Sequence, residues 1–148
     1  MRRLRQHRGF TLVELLLVIG IIAILSGLTL AAISPTKQLA SSRDAKRQTD
    51  ILAIMNGLHQ YALDHNSNFP TGIPQGTAKE ICTVKGVACG DLVDLSGLSG
   101  TYLVLIPSDP REPQNSTGTN YFIVENARDE ITITAPGAER SSSISLTR

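Results

Sequence analysis

An uncharged stretch of 19 residues near the N-terminus, from Leu15 to Ile33, restricts what this chain can fold into. As a helix it would span about 28 Å at 1.5 Å per residue, close to the ~30 Å hydrocarbon thickness of a bilayer. Secretory signal peptides have shorter apolar regions of roughly 7–15 residues, followed by a small-residue cleavage site. The stretch therefore predicts a single membrane-spanning helix rather than a cleaved signal peptide.

Four arginines and no acidic residue lie in residues 1–9, ahead of this helix. Because basic residues beside a membrane helix favour the cytoplasmic side, we expect the C-terminal bulk of the chain to face outward. The formal charge of the whole 148-residue chain is only +1, which argues against a general nucleic-acid binder. Without residues 1–9, the 14 basic side chains become 10 against 13 acidic ones, a formal charge of −3.

Glu14 is the only charged residue between residues 10 and 33. A carboxylate within a bilayer costs at least ~2.5 kcal/mol, so such residues usually have a function. The alternative is that Glu14 lies at the membrane interface, where headgroups and the nearby arginines would satisfy it. Physical arguments alone leave these two interpretations equally open.

The residues around it, Gly9-Phe10-Thr11-Leu12-Val13-Glu14, resemble the prepilin signature of the type IV pilin superfamily. The resemblance implies that a prepilin peptidase cuts after Gly9 and that Phe10 becomes the N-methylated first residue. It also implies that Glu14 pairs with the N-terminal amine of a neighbouring subunit in a filament and sets the register of assembly. The two charges would attract strongly in an apolar bundle, where each alone would be costly.

Residues 35–66 are predicted to continue the helix as an amphipathic segment, after a kink or melted stretch at Ser34-Pro35. Apolar residues recur there with helical spacing, at Ile51, Ile54, Met55, Leu58, Tyr61 and Ala62. A mixed-charge stretch precedes them and is interpreted as a solvated face, comprising Arg43, Asp44, Lys46, Arg47 and Asp50. We therefore expect one helix over residues 10–66, of which residues 10–34 cross the membrane or fill a filament core.

Residues 67–101 are rich in Gly, Pro, Ser and Thr and are predicted to form an irregular connection. They contain the two cysteines of the chain, Cys82 and Cys89. Two cysteines on the exported side of a membrane favour a disulfide. Metal binding by this pair is not expected, because a zinc site needs about four ligands and no histidine lies nearby.

Residues 102–148 are predicted to form the sheet of the C-terminal part. Segments 102–106, 120–125 and 130–135 are rich in β-branched and aromatic residues and predict strands. The last two should form an antiparallel hairpin, and residues 144–146 predict a weaker additional strand. With the resemblance, these patterns imply an α+β pilin fold. In that fold a long N-terminal helix, membrane-spanning in its first half, packs on a small antiparallel C-terminal sheet.

The sequence contains no H-E-x-x-H, G-x-S-x-G or P-loop motif, so we expect neither enzymatic activity nor a cofactor. Calcium is the one metal for which the resemblance indicates a site. Major pseudopilins of type II secretion bind calcium near their C-terminal strands, and the string ITITAPGAE resembles that region. The resemblance makes Asp129, Glu130 and Glu139 candidate oxygen ligands.

The resemblance implies a structural subunit of a type IV pilus-like filament. The subunit would wait as a single-pass protein of the inner or cytoplasmic membrane, in contact with lipid. Assembly machinery in that membrane would then build it into a helical filament by self-association, outside the cell or in the periplasm.

Three alternatives remain open. The first is a pseudopilin of a type II secretion system, which drives protein export. The second is a minor tip pilin in DNA uptake or adhesion, which would need a basic or aromatic patch that the C-terminal part does not show in obvious form. No nucleic-acid partner is therefore expected. The third is an exported enzyme anchored by its signal.

Overall fold

The computed structural model describes residues 9–32, 34–83, 89–113 and 116–148. In chain order its main elements are α1 Leu12–Ala32, α2 Pro35–Asp64, β1 Lys79–Cys82, β2 Gly118–Glu125, β3 Ile131–Ala135 and β4 Ile144–Thr147. The chain divides into two compact units between Gln38 and Leu39. We call the second unit, residues 39–148, the head.

Helix α1 exposes apolar side chains on every side. Its segment Leu12–Thr29 has a mean hydropathy of 2.5 and, by length and composition alone, could cross a membrane. Every large aliphatic side chain from Leu12 to Leu28 is half exposed or more. A helix that is apolar all round buries its surface against lipid or against other protein chains. Of the elements described, α1 is therefore the one that most requires a partner.

A non-helical residue, Ser34, lies between the two helices. Ile33 lies outside the described residues, Ser34 is not helical, and Pro35 is the first residue of α2. Proline is tolerated at a first helical position because its missing N–H would have no acceptor within the helix there. The carbonyl of Ser34 accepts a hydrogen bond from the amide of Lys37 at 3.1 Å. The kink or melted stretch predicted at Ser34-Pro35 is confirmed, and it divides the helical region expected over residues 10–66 into α1 and α2.

One hydrophobic core joins α2 to the sheet. The core includes four of the six apolar positions predicted on α2, Tyr61 packs against it, and Ala62 is also buried. The strands contribute fully buried side chains, among them Ile81, Tyr121, Ile123, Ile131 and Ile133. The amphipathic face that the sequence predicts for this helix is thus the face that packs on the sheet.

Gly57 allows a loop to pack closely against α2. A Cβ at this position would lie 3.0 Å from Cγ of Leu103. The sequence alone indicates only that glycine weakens the helix by roughly 1 kcal/mol relative to alanine. The structure adds the reason for the small residue, because Leu103 occupies the space that a side chain would fill.

The sheet of the head is antiparallel, with strand order β1-β2-β3-β4. At its centre Ile123 of β2 pairs with Ile133 of β3. The turn between these strands is closed by a hydrogen bond from the amide of Asn126 to the carbonyl of Glu130, at 3.0 Å. The predicted hairpin and the weaker C-terminal strand are both confirmed, and the molecule has the predicted α+β architecture.

The strand predicted at residues 102–106 is wrong. This segment forms turns, in which the amide of Tyr102 donates to the carbonyl of Leu98 at 3.0 Å. The hydroxyl of Tyr102 donates to Asp64 at 2.8 Å, so the segment is held by contact with α2 rather than by a neighbouring strand. Strand β1 comes instead from residues 67–101, which the sequence predicts to be irregular.

Two leucines of α2 provide a matched test of the core. Leu58 is 0% exposed and Leu63 is 82% exposed. Leu58→Ala should lower the free energy of unfolding by roughly 2–5 kcal/mol, because it removes buried methyl groups and leaves a cavity. Leu63→Ala should change it by less than about 0.5 kcal/mol. Urea unfolding of the full chain in detergent, followed by circular dichroism, measures both values, and similar losses in the two variants would contradict this core.

Candidate functional site

Glu14 caps the first turn of α1. Its Oε2 accepts hydrogen bonds from the backbone N–H and from the hydroxyl of Thr11, both at 2.9 Å. In return, the amide of Glu14 donates to the Thr11 hydroxyl at 3.2 Å. This reciprocal pair is a capping box, in which two polar residues satisfy amides that the first helical turn leaves without acceptors. The motif T-x-x-E is readable in the sequence, and it would have identified Thr11 as a partner of Glu14.

Both hydrogen bonds that the Glu14 carboxylate accepts from Thr11 end on the same oxygen, Oε2. Neither of the bonds from Thr11 uses Oε1 of Glu14. Because a carboxylate oxygen offers two lone pairs, Glu14 can cap its own helix and still accept a hydrogen bond from a second group. The arrangement is therefore compatible with a partner amine from another chain.

The predicted cleavage position lies immediately before α1. Gly9 and Phe10 are exposed and not helical, and Phe10 is 88% exposed. Among the described residues, none other than the chain neighbours of Gly9 lies within 4 Å of the place where its Cβ would stand. The peptide bond between these residues is thus open to an enzyme, and cleavage there stays a prediction. Residues 1–8 of the predicted leader lie outside the described residues.

Arg47 is the centre of a buried ionic cluster in the head. Its side chain is fully buried, and its Nε and Nη2 donate to the two carboxylate oxygens of Asp109 at 2.6 and 2.9 Å. Its Nη1 donates to Asp44 at 2.8 Å and to Glu139 at 3.1 Å. Arg43 adds two hydrogen bonds of 2.6 Å to Glu139. We call these five residues the Arg47 cluster.

The Arg47 cluster joins three separate parts of the head. Asp44 lies on α2, Asp109 on the loop before β2, and Glu139 in the segment after β3. Asp44 also accepts hydrogen bonds from the backbone amides of Glu139 and Arg140, each at 2.9 Å. Gly137 packs so closely on the cluster that a Cβ there would lie 2.8 Å from the Asp109 carboxylate. The cluster therefore fixes the segment after β3 to α2.

A further buried carboxylate, Asp50, extends this polar contact along α2. The hydroxyl of Tyr121 donates to Asp50 at 2.9 Å, and Lys46 donates to the same carboxylate at 2.9 Å. Burial raises the pKa of Tyr121, and the negative charge of Asp50 raises it further. Tyr121 therefore remains a neutral hydrogen-bond donor at ordinary pH.

The solvated face predicted for the charged stretch of α2 is wrong at three of its five positions. Asp44, Arg47 and Asp50 are buried, whereas Lys46 is exposed. The three buried residues are spaced i, i+3, i+6, so they share a side of the helix with the apolar core residues that follow. That spacing is visible in the sequence, but their partners Asp109 and Glu139 are far away along the chain.

The cations of the Arg47 cluster keep its carboxylates ionised. Hydrogen bonds from Arg43 lower the pKa of Glu139 to about 2. The backbone amide of Glu139 lowers the pKa of Asp44. For Asp109, burial raises the pKa, but the hydrogen bonds from Arg47 and the amide of Arg111 outweigh burial and leave it below its ordinary value.

Cys82 and Cys89 form a disulfide, as predicted, with their Cα atoms 5.6 Å apart. Cys82 is the last residue of β1 and is fully buried. The bond closes a loop with a sequence separation of 7 residues, which contributes roughly 2–3 kcal/mol on the chain-entropy model. It anchors Cys89 to the end of β1, an edge strand of the sheet.

The three carboxylates proposed as calcium ligands do not converge. Asp129 and Glu130 precede β3 and Glu139 follows it, so a strand of about 16 Å separates them at 3.3 Å per residue. Glu130 accepts a hydrogen bond from Asn126, and Glu139 is bound by arginines. Within the described ranges, no three His, Cys, Asp or Glu side chains form a metal-binding group.

The N-terminal part of the chain is similar to a known protein family. Residues 4–30 match the model of the prokaryotic N-terminal methylation motif. This match spans Gly9, Phe10 and Glu14 together with most of α1. No solved structure matches the chain.

Several curated proteins match more of the chain. The type II secretion system core protein G of Vibrio cholerae is 38% identical over 71 residues, 48% of this chain and 47% of that protein. Core protein G of Aeromonas hydrophila is 34% identical over 106 residues, 72% of this chain and 68% of that protein. The prepilin peptidase-dependent protein D of Escherichia coli K12 is 33% identical over 69% of this chain and 73% of that protein. The chain spans about half the length of the Vibrio relative.

Arg47 and Arg111 provide a matched test of the ionic cluster. Arg47→Met leaves Asp109 buried without its cation, and breaking such a pair costs roughly 3–5 kcal/mol. The side chain of Arg111 is 67% exposed, and its Nη1 lies 3.9 Å from Oε2 of Glu139, which is long for an ion pair. Arg111→Met should therefore change the free energy of unfolding by less than about 0.5 kcal/mol. Urea unfolding of the full-length variants measures both changes. A loss below about 1 kcal/mol for Arg47→Met would contradict the role of the cluster.

The lowered carboxyl pKa values predict a loss of stability in acid. Each carboxyl of the cluster has a folded pKa below its unfolded value, so its contribution is present above the unfolded pKa and is lost as the pH falls through the folded one. For Glu139 this window extends from its ordinary value of 4.5 down to about 2. Urea unfolding at a series of pH values should show the free energy of unfolding decreasing through this window.

Glu139→Gln is the control for this pH dependence. The variant should be less stable than the wild type at pH 7 and should lose less stability on acidification. Equal slopes for wild type and variant between pH 4.5 and 2 would contradict the assignment.

Proposed function

Because the chain belongs to the type IV pilin-like family, which includes pilins and pseudopilins, we propose that it is a pseudopilin, a filament subunit of a type II secretion system. The observation that carries its role as a filament subunit is α1, a capped helix whose apolar surface is exposed on all sides. The choice of a pseudopilin follows the names of the relatives, most of which are type II secretion core proteins. This reverses the order that the sequence alone favours, where a pilus subunit comes first.

Processing by prepilin peptidase is the first step of the proposed function. The basic leader holds the N-terminus in the cytoplasm while α1 lies in the membrane. Cleavage after Gly9 then removes the leader and creates a new amine on Phe10, which is methylated. The exposed, non-helical backbone at these two residues supports this step, because a peptidase needs an extended segment.

Assembly moves α1 from lipid into the core of a helical filament. Both environments are apolar, so the exposed aliphatic surface of α1 remains buried throughout the transfer. Glu14 then meets the amine of Phe10 from a neighbouring subunit, and little water screens the pair. A subunit docked out of register would leave both charges without a partner, so the pair favours one stagger between subunits.

The head remains outside the membrane and forms the surface of the filament. The assembly machinery in the inner membrane and the secreted proteins are its proposed partners. The disulfide supports this location, because disulfides persist in oxidising compartments outside the cytoplasm. The Arg47 cluster stabilises the small core of the head without any contribution from the membrane.

A subunit of a surface pilus is the second candidate. Its support is the likeness to the prepilin peptidase-dependent protein D, whose name refers to the peptidase and not to a secretion system, and of which this chain covers 73%. The two functions differ in what is lost when the gene is deleted. Loss of protein export with unchanged surface fibres identifies the pseudopilin, and loss of surface fibres with normal export identifies the pilin.

Glu14→Gln separates the charge of Glu14 from its capping function. Glutamine still accepts the hydrogen bonds of a capping box, so α1 should form and insert as in the wild type. It carries no charge for the neighbouring amine, so we expect the yield of sheared filaments to fall at least about tenfold. A tenfold change corresponds to a loss of about 1.4 kcal/mol in the affinity between subunits. Immunoblots of sheared filaments and of carbonate-washed membranes measure assembly and insertion.

Two outcomes would contradict the proposal. Wild-type yield of filaments from Glu14→Gln would contradict the charge pairing. A mature N-terminus other than Phe10, found by mass spectrometry of the wild-type filament, would contradict the processing step.

A further inference from the structure

A cleft opens at the end of the head where α2 terminates. It lies between the last turns of α2 and the hairpin that joins β2 to β3, and its volume is about 620 Å³. Its walls carry both apolar and polar side chains: His59, Ala62, Leu63, Ser67, Phe69 and Asp129. Neither the core nor the Arg47 cluster accounts for these polar groups.

Two polar groups of the cleft have unmet capacity for hydrogen bonds. Nε2 of His59 is shielded from solvent and has no hydrogen-bond partner among the residues that the structure describes. Asp129 is exposed in the hairpin turn, and no ion pair of its carboxylate occurs within the described ranges. The carboxylate of Asp129 is therefore the polar group of the cleft that an incoming cation would meet.

The chemistry of the cleft fits an arginine side chain. The planar guanidinium group offers five N–H donors and can bind both oxygens of the Asp129 carboxylate. The aliphatic part of arginine packs on apolar surfaces, which Leu63 and Phe69 provide. Phe69 already contacts His59 edge-to-face, with ring centroids 5.9 Å apart, so these two walls hold each other in place.

An exposed arginine stands at the opposite end of the same head. The backbone amide of Arg140 is fixed by its hydrogen bond to Asp44. Its side chain is exposed, and in the described part of the chain it forms no ion pair. Arg111 lies at the same end but already approaches Glu139 at 3.9 Å. Arg140 is therefore the cation that this end offers to another molecule.

The cleft and Arg140 are separated by the length of the head. Asp44 and Leu63, which mark the two ends, are 19 residues apart on α2, a distance of about 28 Å at 1.5 Å per residue. One chain therefore cannot bring its own Arg140 into its own cleft. Two different surfaces that complement each other produce a head-to-tail contact, which generates an open filament rather than a closed dimer.

We infer that Arg140 of one copy of this chain enters the cleft of the next copy and pairs with Asp129 between His59 and Phe69. This contact between heads rests on the proposed function, since it operates in the filament that α1 builds. It adds a second determinant of subunit order, outside the membrane, to the pairing of Glu14. The Arg47 cluster then has a further consequence, because Asp44 holds the backbone from which Arg140 projects.

Neutral variants of the full chain test each side of the contact. Asp129→Asn keeps a residue that tolerates the positive φ of 58° at this position, and Arg140→Gln keeps an exposed polar side chain. Each should lower the yield of sheared filaments about tenfold, as expected when one member of a close charge pair is removed. Asp91→Asn and Arg148→Gln, which change exposed charges elsewhere, should assemble like the wild type.

A charge exchange tests whether the two residues meet each other. Asp129→Arg and Arg140→Asp should each block assembly, and the double variant should recover at least half of the wild-type yield. No recovery in the double variant would overturn the contact, provided that urea unfolding shows the head of each variant to be folded. Wild-type yield from both neutral variants would overturn it equally, and defects confined to Asp129→Asn would mean that the cleft binds another molecule instead of Arg140.

These results also separate the inference from the proposed function. If the wild-type chain forms filaments and the neutral variants do as well, only the contact between heads is wrong. If the wild-type chain forms no filaments in cells that contain the assembly machinery, the proposed function itself is wrong.

Discussion

The apolar surface of α1 is the constraint on which this molecule depends. The aliphatic side chains of this helix are half exposed or more from its first turn to Leu28, so its apolar surface must be buried elsewhere. Lipid satisfies this requirement for a single chain, and neighbouring copies of α1 satisfy it in a filament. The capping box of Thr11 and Glu14 lets the helix begin cleanly, and the interruption at Ser34 and Pro35 ends it before the head.

The head is built so that α2 is held along its length. At its centre the apolar side chains from Ile51 to Ala62 pack on the sheet. Before Ile51 the helix can no longer reach the apolar core, and Arg47 replaces that contact with bonds to Asp109 and Glu139. Removing one member of this set leaves a buried charge without compensation, so the cluster functions only when complete. The same bonds position the exposed backbone at Arg140.

Features that depend on local order were predictable from the sequence. The long apolar helix α1 follows from an uncharged run of 19 residues, the break from Pro35, and the β2–β3 hairpin from two alternating segments separated by Asn126–Asp129. The disulfide between Cys82 and Cys89 was also predictable, because these are the two cysteines of the chain and we expected their segment to be exported. In each case the information lies within a short stretch of chain.

Features that depend on distant partners were not predictable. Residues 102–106 have the composition of a strand, yet Tyr102 and Leu103 pack on α2, where no strand lies beside them. Asp44, Arg47 and Asp50 have the composition of a solvated face, yet they are buried. Besides the local pairs Asp44–Arg47 and Lys46–Asp50, their partners lie 62 to 96 residues away along the chain. Strand β1 has only 4 residues and lies in a segment rich in glycine and threonine, so the composition of that segment does not predict a strand.

The pairing of Glu14 with the Phe10 amine of a neighbouring subunit is tested most directly by an electron cryomicroscopy map of the assembled filament that resolves side chains in its core. The account predicts that the amine of Phe10 lies within hydrogen-bond distance of Oε1 of Glu14 from a neighbouring subunit, while Oε2 keeps its bonds to Thr11. A map in which Glu14 faces solvent, or in which Phe10 of every subunit is remote from any Glu14, would contradict the account.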